Sequence, residues 1–306
     1  MKLNIMTLEI INISDLDCIF LTYDEPKKEE FWIQIQNLIP WVKRVDGVHG
    51  SDSAHKAAAS ASETDRFIVI DGDNIPDPSF FKKTLTLNNE SKDYVFRWKA
   101  RNVINELTYG NGGISCWTKN FVNSMKTHEN TDGQDYTKFE FCYNKNYVSM
   151  HDCFSTTYPN ATPYQAWRAG FREGVKLCLN KGVKPNINNF KQNIHIRNYE
   201  LLSIWHNIGQ DIENGWWAIY GARLGTYLTL LRQWDYTKVQ SFDELKALWN
   251  SFSKDTQDAC ESLGKTLKLK LNLPIVEMNA EQSKFFKSFY TTTHKNKGIM
   301  EYERAP

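Results

Sequence analysis

Phe67-Ile68-Val69-Ile70-Asp71-Gly72-Asp73-Asn74 is the stretch on which the fold turns. Its apolar, largely β-branched start reads as a short buried strand. The strand stops abruptly at an acidic turn, and Pro76 and Pro78 keep it from resuming at once. Upstream, Cys18-Ile19-Phe20-Leu21-Thr22-Tyr23 has the same character. It leads through Asp24-Glu25-Pro26 into a helix with Phe31, Trp32, Ile35 and Leu38 at helical spacing. Trp41-Val42-Lys43-Arg44-Val45 is a further strand, Gly47-Val48-His49-Gly50 a turn, and Ser51 to Ser62 an Ala-rich helix. Downstream, Tyr94-Val95-Phe96-Arg97-Trp98 and Ile114-Ser115-Cys116-Trp117 read as strands. Strands alternating with helices predict an α/β fold with a mostly parallel sheet flanked by helices. Ligands of such sheets gather outside the carboxyl ends of the strands, where Asp24, Asp71 and Asp73 fall.

The segment from His128 to Asn146 is polar and reads as an excursion. From Pro163 onward the pattern is helical: 163–179, 199–232, 242–252, 255–269 and 280–290. The chain has 306 residues, 41% hydrophobic and 24% charged, a globular composition with net charge +1. That excludes a strongly basic coat protein and an acidic disordered tail. No apolar run is long enough to span a membrane, and no signal-peptide pattern opens the chain. Six scattered cysteines without a CxxC pair read as reduced thiols of a cytoplasmic protein. Residues 1–150 carry 17 Lys+Arg against 21 Asp+Glu, and residues 151–306 carry 20 against 15. An acidic front suits a metal site and a mildly basic back a phosphate backbone, although chance accounts for the split equally well.

Asp71-Gly72-Asp73 carries the most chemistry. Two carboxylates on one turn can hold Mg²⁺ or Mn²⁺ against a diphosphate, and the metal then offsets charge on a departing nucleotide. Glycosyltransferases and nucleotidyltransferases place such a motif after a buried strand of a nucleotide-binding half. Phosphatases of the haloacid dehalogenase type place it at the end of the first strand, followed by Thr or Val. Here it lies well into the chain and Asn74-Ile75-Pro76 follows, which disfavours the phosphatase.

The motifs join into an ordered set: Tyr23-Asp24-Glu25-Pro26, Arg44 to Gly50, Ala54-His55-Lys56-Ala57-Ala58, and Ile70-Asp71-Gly72-Asp73. Trp98, Arg101-Asn102, Asn105, Leu107 and Tyr109-Gly110-Asn111-Gly112-Gly113 follow, then Asn160 to Glu173 and Gly221-Ala222-Arg223-Leu224-Gly225. The set resembles the phage family of GT-A-fold, TET-associated-type glycosyltransferases. The resemblance covers about residues 18–225; residues 226–306 match nothing in that pattern. Members of this family are linked to sugar addition on hypermodified phage DNA, including arabinosyltransferases acting on 5-hydroxymethylcytosine. The resemblance implies a Rossmann-like GT-A domain over 1–225, with a donor half 1–115 and an acceptor half 116–225, and a helical extension over 226–306. It implies a UDP-sugar donor, a DNA acceptor, and Mn²⁺ or Mg²⁺ held by Asp71 and Asp73. Tyr23, Asp24 and Glu25 would line the nucleotide pocket, His55 and Lys56 would sit near the donor phosphates, and Arg101, Asn102 and Asn105 by the donor sugar. Gly112-Gly113 would let the acceptor approach the backbone. The expected location is the host cytoplasm.

One position departs from the family, in which an Asp often precedes the proline where this chain has Thr162. Thr162 cannot act as a base, which leaves Asp152, Glu173 and Asp211 as candidates. His206 and His151 are candidates for a third metal ligand. Arg168 and Arg172 read either as acceptor contacts or as a surface charge pattern. Arg223 reads as a diphosphate contact or a structural ion pair, and His49 as a nucleotide contact or a solvated turn residue. Trp205, Trp216 and Trp217 are candidates for an acceptor surface, although most aromatics belong in the core. Lys265, Lys268 and Lys270 suit either DNA phosphates or a solvated helix face. The rival readings are a protein or polysaccharide acceptor, a nucleotidyltransferase, and a catalytically silent protein that binds DNA or sugar nucleotides.

Overall fold

In the computed structural model of the chain, residues 8–109, 113–125, 127, 141–142, 144–251 and 257–293 are described. Gly110, Asn111 and Gly112 of the glycine motif, and most of the polar stretch 128–146, lie outside them. The chain divides into two units. The first takes in residues 1–102, 108–132 and 140–158; the second takes in 103–107, 133–139 and everything from 159 on.

The first unit is built on a seven-stranded mixed sheet. Its strands are β2 (Asp17–Thr22), β3 (Lys43–Asp46), β4 (Arg66–Asp71), β5 (Asn74–Pro76), β7 (Val95–Asn102), β8 (Ile114–Thr118) and β9 (Tyr147–Thr157), in the order β3-β2-β4-β8-β7-β9-β5. A small second sheet pairs β1 (Glu9–Asn12) with β6 (Thr84–Leu87). The first three strands of the large sheet are parallel, as the alternation with α1 (Lys28–Leu38) and α2 (Ser51–Ala61) requires. Beyond β4 the order becomes mixed. β8 runs antiparallel to both neighbours, β9 is parallel to β7, and β5 is antiparallel to β9. The sheet is therefore evenly mixed rather than mostly parallel. β7 and β8 lie too close in sequence for a crossover helix, so they pair antiparallel.

Alternation sends Cys18, Phe20, Ile68, Ile70, Phe96, Trp98, Ile114 and Cys116 to one face, where Phe31 and Ile35 of α1 cover them. The other face carries Ile19, Phe67, Val69, Val95 and Trp117 under Ala58 and Ala59 of α2 and Phe121 and Val122 of α3 (Lys119–Ser124). Asp71, two residues beyond Val69, belongs to this second face.

The second unit is helical. α4 (Pro163–Leu177) and α7 (Gly215–Leu231) form its centre, with α5 (Phe190–Asn193), α6 (Ile196–Trp205), α8 (Phe242–Ser251), α9 (Gln257–Leu271) and α10 (Ala280–Thr293) around them. The division expected at 225 falls inside α7, which is continuous across it. The Asn160 segment is the entry to α4. Thr162 caps the helix by accepting from Gln165 N at 3.1 Å, and Gln165 Oε1 reaches back to Ala161 N at 2.9 Å. Asn160 and Asn214 are tied through Asn214 Nδ2 to Asn160 O at 2.9 Å. Thr and Asp both serve as helix caps, so Thr162 in place of an Asp leaves this local structure intact.

Candidate functional site

The carboxyl ends of β2 and β4 bring four acidic residues into electrostatic contact. Asp24 and Glu25 follow β2; Asp71 ends β4 and Asp73 lies one turn further. Asp71 is exposed as a residue, yet protein surrounds its carboxyl group closely enough to desolvate it. That desolvation, and then the charges of Asp73 and Glu25, push its pKa up to about 7. Glu25 is raised as well, chiefly by burial, with Asp73 and Asp24 adding to it and the Tyr23 N–H opposing it. The group repels itself, and a cation placed there would relieve the repulsion. Hard carboxylate oxygens suit Mg²⁺ or Mn²⁺. Among the described residues no set of three His, Cys, Asp or Glu is gathered closely enough to hold a metal ion. A cation held by two carboxylates commonly completes its shell with water and phosphate oxygens.

Two glycines serve this turn in an unexpected way. A β-carbon on Gly72 would stand 2.7 Å from the Glu25 carboxyl carbon and 2.9 Å from Thr22 Cγ2. Gly72 therefore makes room for Glu25, whose Oε2 accepts from Tyr23 N at 2.7 Å. A β-carbon on Gly113 would collide with the Asn74 amide. That amide donates to Asp73 Oδ1 at 2.7 Å and accepts from Ser155 Oγ at 3.2 Å, while Gly113 O accepts from Asp71 N at 2.8 Å. Gly113, expected to let an acceptor approach, seats the side chain that orients Asp73.

Around this turn, Tyr23 and His49 are exposed and meet edge to face, ring centroids 6.0 Å apart. Beneath them Lys28 Nζ donates to Tyr23 O and to Asp46, each at 2.7 Å, and Arg44 grips Glu29 with two bonds of 2.7 and 2.8 Å. His55 turns inward: Nδ1 lies 2.8 Å from Ser51 O, and the ring packs on Trp117 and Phe141 at 4.9 and 4.8 Å. Lys56 is exposed and paired with Asp52 at 2.6 Å. Arg101 is exposed and donates to Thr156 Oγ1 at 3.3 Å, with Asn102 ending the same strand. His151 and Asp152 sit exposed on a bulge: Arg97 pairs with Ser149 and Lys99 with Cys153, so Met150, His151 and Asp152 stand opposite Trp98 alone and β9 carries two extra residues there.

Arg97 was not anticipated as part of the site. It points to the face of the sheet shared with Val69 and Trp117. Its guanidinium stacks on Tyr147 at 4.1 Å, and its Nε and Nη1 are buried without a hydrogen-bond partner among the described residues. The Tyr147 hydroxyl is pushed up, first by burial, and feels the Asp71 charge. An arginine between Phe96 and Trp98 was the available signal, since a charge among buried apolar residues is costly without a purpose.

No family model and no curated protein matches the chain.

The remaining candidates belong to the second unit, most of them as framework. Arg223 is 1% exposed. It donates from Nε to His206 O at 3.0 Å, and from Nη1 to Cys260 O at 3.2 Å and Glu277 at 2.7 Å. It has no face left for a diphosphate. Arg223→Ala should destabilise the protein by about 3 kcal/mol, because two buried carbonyls lose their donor. Arg223→Lys should not restore it, since an ammonium cannot reproduce the fork. Urea unfolding of both variants would check this, and near-wild-type stability would return Arg223 to the list of ligand contacts.

His206 is fully buried, which together with nearby Arg223 lowers its pKa to about 3. Nε2 lies 3.0 Å from Thr226 Oγ1, whose own hydroxyl donates to Gly174 O at 3.1 Å. The donor count therefore assigns the proton to Nε2. This histidine is a neutral core residue and has no outlet to a metal. Between pH 6.5 and 3 the unfolded chain takes up a proton that folded His206 refuses. Stability should fall with pH across that window by up to about 1.4 kcal/mol per pH unit. In His206→Gln, denaturation measured at pH 4 and pH 6.5 should show a shallower loss.

Asp211 is held by Lys287 at 2.9 Å and Ser283 at 2.9 Å and is mostly buried, a tie for α10 rather than a base. Asn105 is buried, its Oδ1 accepting from Leu107 N at 3.2 Å in a turn of the second unit. Trp205 is 2% exposed and is core, not an acceptor surface. Trp216 is half-buried, stacked on Tyr220 at 5.7 Å beside Trp217. Glu173, Arg168 and Arg172 are half-buried on α4. No helix among the described residues is long and apolar enough to cross a membrane.

Proposed function

We propose that the protein is a metal-dependent glycosyltransferase of GT-A type, moving a sugar from a UDP-sugar onto 5-hydroxymethylcytosine in DNA or onto a sugar already there. The observation that carries this reading is the self-repelling group of Glu25, Asp71 and Asp73 at the carboxyl ends of parallel strands. Of this group, Asp71 and Asp73 would offer a cation two carboxylates and, through it, a place for a diphosphate. Asp71 and Asp73 would hold Mn²⁺ or Mg²⁺, which would supply positive charge against the departing nucleoside diphosphate. Asn74 orients Asp73, and Glu25 braces the turn through Gly72. The exposed rings of Tyr23 and His49 offer a place for the uracil base. In this reading Asp152, exposed on its bulge, would accept the proton of an attacking hydroxyl, Asp211 being already committed to Lys287.

The test mixes the protein with Mn²⁺, a set of UDP-sugars, and DNA containing either cytosine or 5-hydroxymethylcytosine. Digested nucleosides are then weighed by mass spectrometry. The expected result is one added sugar on the hydroxymethylated DNA alone. UDP release without a gain on either DNA would move the acceptor to another polymer. Neither UDP release nor mass gain would defeat the transferase reading.

A further inference from the structure

The second unit carries a patch in which cations and aromatic rings alternate. Arg168, Arg172 and Lys176 follow one another at four-residue steps on α4, so they share a face and rise about 6 Å per step. That interval is comparable to the spacing of successive phosphates along a nucleic-acid strand. α8 lies beside them and contributes Phe242, 45% exposed, and the exposed Lys246. The Arg168 guanidinium lies 4.5 Å from the Phe242 ring and 5.5 Å from Tyr164; that of Arg172 lies 5.2 Å from Phe242. Lys246 Nζ stands 4.2 Å over Tyr164. Among the described residues, Glu173, Asp243 and Glu244 adjoin these positions in sequence, and Lys238 pairs with Glu244 at 3.1 Å.

An exposed ring fixed among positioned cations matches what a single strand requires. The ring stacks a base of any sequence, and the cations follow the backbone. Residues 151–306 as a whole carry 20 Lys+Arg against 15 Asp+Glu, so the surrounding field does not oppose a polyanion. We propose that the α4–α8 face around Phe242, Arg168, Arg172 and Lys246 binds a nucleic-acid strand, the base stacking on Phe242 and the phosphates lying along the cations. This deepens the proposed function and rests on it for the identity of the strand as the DNA acceptor.

The test uses the full chain and a labelled single-stranded DNA of about 12 nucleotides with ordinary bases. Binding is followed by fluorescence anisotropy over a series of salt concentrations, with neither donor nor metal present. Each phosphate contact contributes about 0.7 to the logarithmic salt slope. Lys246→Gln should therefore lower the slope by about 0.7, and the Arg168→Gln, Arg172→Gln double variant by about 1.4. Phe242→Ala should weaken binding about tenfold and leave the slope unchanged, because it removes stacking and no charge. Lys246 and Phe242 are exposed, so these two variants keep their fold and circular dichroism will verify it. Absence of binding by the wild type overturns the proposal, and so does unchanged binding in all the variants. Strand binding that fails in the variants, in a protein that transfers no sugar, supports this surface and defeats the transferase reading. Transfer to DNA that proceeds undiminished in the variants supports the transferase and overturns the surface.

Discussion

Asp71→Asn should abolish sugar transfer and at the same time stabilise the metal-free protein at pH 8. The side chains are nearly isosteric, so the change removes charge and little else. If Asp71 contributes to holding a cation against the leaving diphosphate, turnover should drop by a factor on the order of 10²–10³ or more. Asp73→Asn should do the same, with an added effect on Asn74, which donates to Asp73 Oδ1. The stability effect has the opposite sign, and the linkage gives it. Folded Asp71 titrates near 7 against an ordinary 3.8, because burial and then Asp73 and Glu25 disfavour its ionised form. The folded chain holds a proton there that the unfolded chain has lost. Stability from this group is complete below pH 3.8 and declines as pH rises through about 7. Asparagine carries no such cost, so the variant should melt above the wild type at pH 8 and alongside it near pH 3.5. Loss of turnover with higher apo stability marks a residue kept for function at the expense of the fold. Turnover close to wild type, or a variant less stable at pH 8, would remove Asp71 from the site.

Local pattern and long-range contact divide what could be read in advance. The strand Phe67–Ile70 and its acidic turn were legible, because a short apolar run ending in Asp-Gly-Asp is a local signal. The helix of Phe31 and Ile35 was equally legible from spacing. β9 was not, since Tyr147–Thr157 is polar, partly exposed on both faces and interrupted by a bulge; its partners β7 and β5 lie far away in sequence. The β1–β6 pair escaped for the same reason. In the site, the carboxylates of Asp71 and Asp73 could be named, yet the residues that set their positions could not. Asn74 under Gly113 and Glu25 against Gly72 are contacts that exist only once the strands are aligned. Arg223 and His206 were drawn toward ligand roles because charged and imidazole groups carry chemistry. Their burial among α6, α7 and α9 is a tertiary fact that one residue and its neighbours do not encode.

The glycines of α4 and α7 show the same divide, and they support the second large effect. Gly170 on α4, and Gly221 and Gly225 on α7, belong to the ordered set of motifs that carries the family resemblance, and Gly174 lies one residue beyond it. In the structure they form the seam between the two helices. A β-carbon on Gly170 would run into the Ala218 carbonyl, on Gly174 into that of Ala222, on Gly221 into that of Trp167, and on Gly225 into that of Phe171. Each obstacle is backbone, which cannot swing aside as a side chain can. Small residues at four-residue spacing on both helices are what such a close approach requires. Gly170→Ala must therefore push the helices apart or bend one of them, and either response opens the packing of Trp167, Phe171 and Ile219. Overpacking of this kind should cost about 3 kcal/mol, well above the small gain alanine brings to an isolated helix. Gly47→Ala is the informative comparison. Gly47 has φ +74° with open space where the β-carbon would go, so it pays only for backbone conformation, about 1 kcal/mol. Urea denaturation followed by circular dichroism should rank Gly170→Ala and Gly221→Ala far below Gly47→Ala. Hydrogen exchange should locate the loss in α4 and α7. If Gly170→Ala were as stable as the wild type, the helices would have room to spare, and the glycine pattern would need a ligand to explain it.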